Sequence, residues 1–261
     1  MKANSFAKKG ETNEAIEIFQ SILKKFPNNT RAQIGLEKSK EKNIISSNPS
    51  NEIINDLYQL YSRKELDLLL DKTKKILIEF PNSFVLWNIL GILKFEDNLL
   101  NEAVTCFQKA TSLNPLFADG FNNLGNIYKN QGMFEQAIFA YKKSLEISPK
   151  NANAHYNLGS LYLDNEILDE AEINLKKSIS IEKNNSKAYH NLGVLFQKQK
   201  KIDLAIRAYD QSLIFDENNY KTHNNLGKIF QITGKYDKAK EKFNKSILIN
   251  PNYSTAYNNL G

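Results

Sequence analysis

The chain has 261 residues, of which 41% are hydrophobic and 25% are charged, and its formal net charge at pH 7 is +6. Its 11 glycines and 6 prolines are too few for a disordered or β-rich chain, and its hydrophobic content is enough for a packed core. No stretch approaches the roughly 18 apolar residues of a membrane-spanning helix, and residues 1–10 lack the apolar run of a signal peptide.

The first 42 residues are predicted to form a partial helical repeat. Small, aromatic and proline residues recur there at a spacing that returns later in the chain, at Gly10, Ala15, Phe19 and Pro27. A basic helix is predicted to follow over residues 29–42. Residues 43–51 are polar and contain serines and a proline, so we interpret them as a linker and as the best candidate for a domain boundary.

Residues 52–83 are interpreted as a degenerate copy of a helix pair. Apolar residues and a closing proline keep the spacing at Leu57, Leu60, Leu69, Ile76 and Pro81. No glycine or alanine occupies the positions where later copies have small residues. We therefore expect this pair to pack more loosely, or to cap the array that follows.

From residue 84 onward the sequence repeats with a fixed period. The six glycines at positions 91, 125, 159, 193, 227 and 261 are each separated by 34 residues, without insertion or deletion. A constant period of this length indicates a repeat architecture. The predicted copies are 84–117, 118–151, 152–185, 186–219 and 220–253, followed by a partial copy at 254–261.

Each copy carries two amphipathic helical patterns of about 12 to 14 residues, separated by a turn. Glycine inside a helix costs roughly 1 kcal/mol relative to alanine, so six copies at one position need a structural reason. An alanine follows each of the first five glycines after twelve residues, as Ala171 follows Gly159. We interpret each glycine–alanine couple as the crossing point of two antiparallel helices.

This pattern resembles the tetratricopeptide repeat family, whose 34-residue motif combines an aromatic, leucine-glycine, a second aromatic, alanine, a third aromatic, a small residue and proline. The matching residues in two successive copies are Trp87, Leu90, Gly91, Ala103, Phe107, Ala110 and Pro115, then Phe121, Leu124, Gly125, Tyr128, Ala137, Tyr141, Ser144 and Pro149. The resemblance implies an all-α solenoid, a right-handed superhelix whose concave groove is lined by the first helix of each pair. The departures are Lys94 for the second aromatic, where Phe95 is a candidate substitute, Leu175 for the third aromatic, and Lys183 and Glu217 for the closing proline.

Candidate catalytic and metal-binding residues are few. His155, His190 and His223 lie about one repeat apart and are not expected to converge on one ion, so packing or solvent-facing roles are favoured and no metal site is predicted. The single cysteine, Cys106, excludes an internal disulfide and suits a reducing compartment, which favours a cytoplasmic protein. A nucleophilic role for it is weighed against that of a small packing residue, and packing is preferred. No phosphate loop or nucleophile elbow is present, so we predict no cofactor and no enzyme activity for these residues.

The asparagines two residues before the repeated glycines are the main functional candidates. They are Asn123, Asn157, Asn191, Asn225 and Asn259. They would face away from the glycine's packing side, towards solvent in the free protein, and an amide both donates and accepts hydrogen bonds with a peptide main chain. The array is similar to the repeat region of O-linked N-acetylglucosamine transferases, and this resemblance implies that the ladder holds extended peptides. The alternative is that asparagine is only part of the family's consensus.

Two functions are therefore predicted as alternatives. The first is a non-catalytic scaffold that binds an extended peptide segment in its groove. The second is the substrate-recognition arm of a larger glycosyltransferase or sulfotransferase, because the last copy stops within its first helix. Residues 186–261 carry 12 basic and 6 acidic residues, which fits an acidic partner or a solvated surface. Nucleic acid is disfavoured, since nearly all of these charges are lysines rather than arginines.

Overall fold

A computed structural model describes Ala3 and residues 12–261, together with their side chains except those of residues 12 and 44–46. Every regular element in this part of the chain is an α-helix, which confirms the predicted all-α class. The helices are α1 (Thr12–Lys25), α2 (Thr30–Ser46), α3 (Asn51–Ser62), α4 (Leu66–Glu79), α5 (Phe84–Glu96), α6 (Leu100–Leu113), α7 (Ala118–Asn130), α8 (Phe134–Ile147), α9 (Ala152–Asp164), α10 (Leu168–Ile181), α11 (Ser186–Lys198), α12 (Ile202–Phe215), α13 (Tyr220–Ile232), α14 (Tyr236–Ile249) and α15 (Ser254–Leu260). Within residues 12–261, no helix combines the length and the apolar character that crossing a bilayer requires.

The chain divides between Ile127 and Tyr128 into two compact units. The first unit contains α1 to α6 and most of α7, and the second contains the end of α7 and α8 to α15. In the second unit the buried cores of neighbouring helix pairs merge into one apolar cluster, which includes Leu158, Leu192 and Leu226 from three successive first helices. Stacked helix pairs of this kind are the predicted solenoid arrangement.

The first helices α5, α9, α11 and α13 begin at a polar side chain that caps free N–H groups, whereas α15 begins at Tyr253 without a side-chain cap. Asn151 Oδ1 accepts a hydrogen bond from the Ala154 amide at 3.0 Å, and Asn185 and Asn219 cap the next two first helices in the same way. Ser83 performs this role for α5 through its hydroxyl oxygen. Because these residues stand at the end of the previous copy, the repeat fixes where each first helix begins.

The turn inside each helix pair requires one residue in the left-handed conformation. Residues with positive φ occur at this position in six copies, as Lys64, Asn98, Gly132, Glu166, Lys200 and Gly234, with φ between 59° and 74°. The turn is closed by backbone bonds such as Lys201 N–H to the Phe196 carbonyl at 2.8 Å. Glycine adopts this conformation without strain, whereas other residues do so at a cost.

Four of the repeated glycines, Gly91, Gly159, Gly193 and Gly227, lie against the helix that follows them, whereas Gly261 has no neighbour within 4 Å. A Cβ atom added to Gly91 would lie 2.8 Å from the Phe107 ring, which comes sixteen residues later. The rings of Tyr209 and Phe243 lie in the same way on Gly193 and Gly227. The nearest neighbour of these three glycines is therefore the aromatic ring sixteen residues later, which the predicted glycine–alanine couple did not include.

The copy at 152–185 is the exception that brings the alanine into contact. Leu175 replaces the aromatic, and a Cβ on Gly159 would lie 2.9 Å from Leu175 Cγ, 3.0 Å from its backbone nitrogen and 3.2 Å from the Ala171 carbonyl oxygen. Two of the three nearest atoms are therefore backbone atoms of the facing helix, whereas those nearest to Gly91, Gly193 and Gly227 are ring atoms. In the degenerate copy, Leu57 and Leu69 occupy the glycine and alanine positions and are both fully buried.

The N-terminal region contains the predicted helices, and the predicted linker is corrected. Ala15, Phe19 and Ala32 of α1 and α2 form a small buried cluster, whereas Gly10 lies outside the described residues. The helix predicted over residues 29–42 extends to Ser46, so only residues 47–50 of the predicted linker 43–51 are non-helical. Pro49 disfavours helical backbone at the residue before it, which explains why the chain leaves the helix there and not earlier.

We expect Gly159→Leu to lower the free energy of unfolding by about 1–3 kcal/mol or more, because the added side chain meets backbone atoms that cannot rotate away. The measurement is urea unfolding followed by far-UV circular dichroism. The control is Asn153→Ala, an exposed position on the same helix, which should change stability by less than about 0.5 kcal/mol. An unchanged midpoint for Gly159→Leu would contradict this packing.

We also expect Lys200→Gly to stabilise the chain by about 0.5–1 kcal/mol, because it removes the strain of a φ of 59° at an exposed lysine. The reciprocal change, Gly132→Ala, should destabilise it by about 1 kcal/mol, since the space around Gly132 is open and only its φ of +71° resists a side chain. Thermal unfolding of the two variants tests the pair. Shifts of the same sign would rule out strain at this turn as the cause.

Candidate functional site

The five candidate asparagines all lie on first helices, and all are half-buried. They are Asn123 on α7, Asn157 on α9, Asn191 on α11, Asn225 on α13 and Asn259 on α15. In a helix with 3.6 residues per turn, a residue two positions before the glycine points about 200° away from it. These amides therefore lie on the side of the first helix that is opposite the helix crossing.

The asparagine side chains bond to the preceding first helix. Asn123 Nδ2 donates to Asn88 Oδ1 at 3.0 Å, and Asn259 Nδ2 donates to Asn224 Oδ1 at 2.9 Å. Both acceptors come 35 residues earlier and are buried, with 5% and 1% of their surfaces exposed. Asn191 makes the equivalent bond to the Tyr156 hydroxyl. We call this set of bonds between successive first helices the amide ladder.

Asn225 departs from this geometry because of its neighbours. Its Nδ2 donates to the Tyr209 hydroxyl at 3.3 Å. The residue 35 positions earlier, His190, instead bonds through Nδ1 to the Thr222 hydroxyl at 2.7 Å. The amides of four candidates are half-buried and hydrogen-bonded: Asn123, Asn191, Asn225 and Asn259. The prediction that these amides face solvent is therefore wrong.

The acceptors of the amide ladder are the residues that sequence reasoning missed. Asn88 and Asn224 stand three residues before their glycines, and Tyr156 and His190 occupy the same position in other copies. Asparagine recurs three residues before the glycine at multiples of 34 residues, and this recurrence could have indicated the acceptors, because a buried amide requires a hydrogen-bond partner. Tyr156 and His190 carry no such signal, since their side chains differ from those of the other copies.

The second unit has an open cavity of about 460 Å³ on the side of the amide ladder. Asn191 lines it together with His190 and Tyr156, and Lys187, Tyr220 and Lys221 complete the side that the first helices α11 and α13 provide. Asp216 and two asparagines of the following turn, Asn218 and Asn219, form the remaining rim. The lining combines ammonium groups, amides and aromatic rings, which suits a polar, extended ligand.

The charge of this cavity comes from its lysines. Burial, with a smaller contribution from Lys221, lowers the pKa of His190 to about 4, so this imidazole is neutral at pH 7. Its ring also packs against Tyr209, with 5.6 Å between the ring centroids. Lys187 and Lys221 are exposed and supply two positive charges, against one negative charge from Asp216. The cavity therefore favours hydrogen-bond acceptors and negatively charged groups.

The first unit has a separate cavity of about 270 Å³, which Asn123 lines. Its other walls include Tyr61, Phe95, Glu96 and Phe107. Phe95 does not take the place of the second aromatic as predicted. Lys94 occupies that position and pairs with Glu102 at 2.7 Å, so the ring of Phe95 falls one position later and faces the cavity.

The remaining histidines and the cysteine have structural roles. His155 Nε2 lies 3.2 Å from the Pro149 carbonyl and His223 Nε2 lies 3.0 Å from that of Glu217, as Trp87 Nε1 donates to the Pro81 carbonyl at 2.9 Å. Cys106 is buried, and burial raises the pKa of its thiol to about 11, which makes it unreactive. Among the described residues, no three His, Cys, Asp or Glu side chains form a cluster that could hold a metal ion.

Comparison with known families gives matches that together cover well over half of the chain. A model described as TPR repeat matches residues 93–132 and 125–166, and models described as tetratricopeptide repeat match residues 1–29, 152–185, 186–219 and 220–253. No curated protein matches the chain in sequence.

Solved structures with a similar fold share little sequence with this chain. YrrB, described as a TPR protein with an unusual peptide-binding site, is 22% identical over 71% of this chain and 96% of its own, with a TM-score of 0.56. PilF of Pseudomonas aeruginosa is 17% identical over 80% and 95%, with a TM-score of 0.72. Cut9–Hcn1 of the APC/C is 19% identical over 99% and 47%, with a TM-score of 0.66. At these identities the likeness concerns the fold, and with the family matches it shows that the chain belongs to the tetratricopeptide repeat family.

Proposed function

We propose that this protein is a non-catalytic interaction scaffold that binds an extended peptide segment along the faces of its first helices. The proposed contacts are the side chains of Asn123, Asn157, Asn191, Asn225 and Asn259. The observation that carries the proposal is the cavity of about 460 Å³ in the second unit, which brings Asn191 together with two lysines on neighbouring first helices. YrrB, a protein of similar fold, is described as having a peptide-binding site, which agrees with this use of the fold.

The amide ladder supports main-chain binding because it fixes the amides before a ligand arrives. An asparagine amide has two N–H donors and an oxygen that accepts. When Asn259 donates one N–H to Asn224, its second N–H and its oxygen stay available for a peptide N–H and carbonyl. A side chain that is already held in one orientation loses less entropy on binding, so the ladder favours affinity.

The same bonds also contribute to the fold, which affects how the site must be tested. Removing an asparagine leaves its partner without that hydrogen bond, and an unsatisfied buried group costs about 1–3 kcal/mol. A loss of binding is therefore interpretable only at a temperature where the variant is folded. Far-UV circular dichroism and the unfolding midpoint of each variant provide that condition.

We expect the triple variant Asn157→Ala, Asn191→Ala, Asn225→Ala to bind an extended peptide at least about tenfold more weakly, since each lost bond contributes about 0.5–1.5 kcal/mol. The probe is the tightest peptide that the whole chain selects from a random-peptide display library, labelled with fluorescein and titrated by anisotropy. Asn244→Ala is the matched control, because Asn244 is an exposed amide on a second helix.

A lysine-driven mechanism gives a different result. Binding would then fall steeply with salt and respond to substitution of Lys187, Lys221 and Lys228, while the amides would be dispensable. The titrations are therefore repeated at low and high salt. Undiminished affinity in the folded triple variant, or failure of the chain to select any peptide, would overturn the proposal.

A further inference from the structure

The cavity of the first unit differs in chemistry from that of the second. Its floor is the ring of Phe107, which lies on Gly91, and its walls include the rings of Tyr61 and Phe95. The carboxylate of Glu96 stands at the same cavity and is exposed. Among the residues that the structure describes, no lysine or arginine lines this cavity, and Glu96 forms no ion pair.

We propose that this cavity binds the cationic side chain of a lysine or arginine in the bound peptide. The inference rests on the proposed peptide-binding function and adds a specificity to it. The rings of Tyr61 and Phe95 line the cavity above the buried ring of Phe107. The faces of aromatic rings attract an ammonium or guanidinium group within about 6 Å of a ring centroid. The apolar stem of such a side chain packs on the same rings while its charged end meets Glu96.

A hydrogen bond positions the carboxylate of Glu96 and uses only one of its two oxygens. The Tyr61 hydroxyl donates to Glu96 Oε1 at 2.7 Å, and this bond, with burial, raises the pKa of Tyr61 to about 12. Tyr61 therefore stays protonated and keeps donating this bond to Oε1, which leaves the second carboxylate oxygen for an incoming cation. The bond also holds the carboxylate beside the rings, where a cation can contact both at once.

The location of the cavity connects it to the peptide main chain. Asn123, one of the proposed main-chain contacts, lines the same cavity, and its amide is fixed by the bond to Asn88. A residue whose main chain lies at Asn123 would therefore direct its side chain towards Phe95 and Glu96. Lys94 occupies the position of the second aromatic and pairs with Glu102, while Phe95, the next residue of α5, lines the cavity.

The test uses the whole chain labelled with ¹⁵N and three short probes, acetyl-glycyl-X-glycine amide with lysine, norleucine or glutamate as X. We expect the lysine probe to shift the amide signals of Asn123 and Phe95 and to bind at least about fivefold more tightly than the norleucine probe. The glutamate probe should not bind. No shift with the lysine probe at millimolar concentration, or equal affinity for lysine and norleucine, would overturn the proposal.

Two variants separate the contributions of charge and ring. Glu96→Gln should weaken binding of the lysine probe about two- to fivefold, and Phe95→Leu should do the same while keeping an apolar wall. Glu79→Gln is the matched control, because Glu79 is an exposed carboxylate of the same unit that does not line the cavity, so binding of the lysine probe should be unchanged. Unchanged affinity in both Glu96→Gln and Phe95→Leu would contradict the cation site.

This result is independent of the test of the proposed function. The triple asparagine variant concerns Asn157, Asn191 and Asn225 of the second unit, none of which lines the cavity at Glu96. If peptide binding depends on those amides but the lysine probe does not bind at Glu96, only the cation site is overturned. If the triple asparagine variant also keeps full affinity for the selected peptide, the peptide-binding function is overturned as well.

Discussion

The contact between a glycine on one helix and an aromatic ring on the next is the interaction on which the rest of this structure depends. Phe107, Tyr209 and Phe243 are buried almost completely where they cover Gly91, Gly193 and Gly227. Burying one large apolar side chain contributes about 1.5–3 kcal/mol, and the absence of a Cβ lets the ring lie directly on the backbone. Since this contact fixes which side of the first helix faces its partner, it also fixes which side presents polar groups.

The repeat made the fold predictable, because one local rule applied many times leaves little freedom in the helix boundaries. The positions of the glycines predicted the helix pairs and the side of the first helices that carries the asparagines. The rings that cover Gly91, Gly193 and Gly227 were not predicted as the partners of these glycines. The spacing of sixteen residues relates positions on two different helices, so no single helical pattern shows it. The end of α2 at Ser46 was also missed, because a polar stretch was taken as a stronger signal than the single proline that ends the helix.

The position of the candidate site could be predicted from the sequence, but its hydrogen bonds could not. The amides of Asn123 and Asn259 lie where the sequence put them, yet their hydrogen bonds to Asn88 and Asn224 depend on the distance between successive first helices. That distance results from the packing of side chains of several sizes, which one sequence does not specify. The cavity beside Phe95 could not be predicted for the same reason, because residues of α3, α5, α6 and α7 line it and one sequence does not give the spaces between those helices. The asparagines proposed to bind a peptide also bond to neighbouring helices, so the proposed site and the fold share residues.

The amide ladder has a consequence for how such an array can change over evolutionary time. The donor is an asparagine in each of the bonds made by Asn123, Asn191 and Asn259, while the acceptor is an asparagine or a tyrosine. A constant donor lets the acceptor position drift between asparagine and tyrosine without loss of the bond that joins two repeats, whereas His190 at the same position bonds to Thr222 instead. The copies of the repeat inside this one chain already sample that drift, and each accepted change alters the lining that a ligand meets. Diversification of recognition can therefore proceed through steps that are nearly neutral for folding.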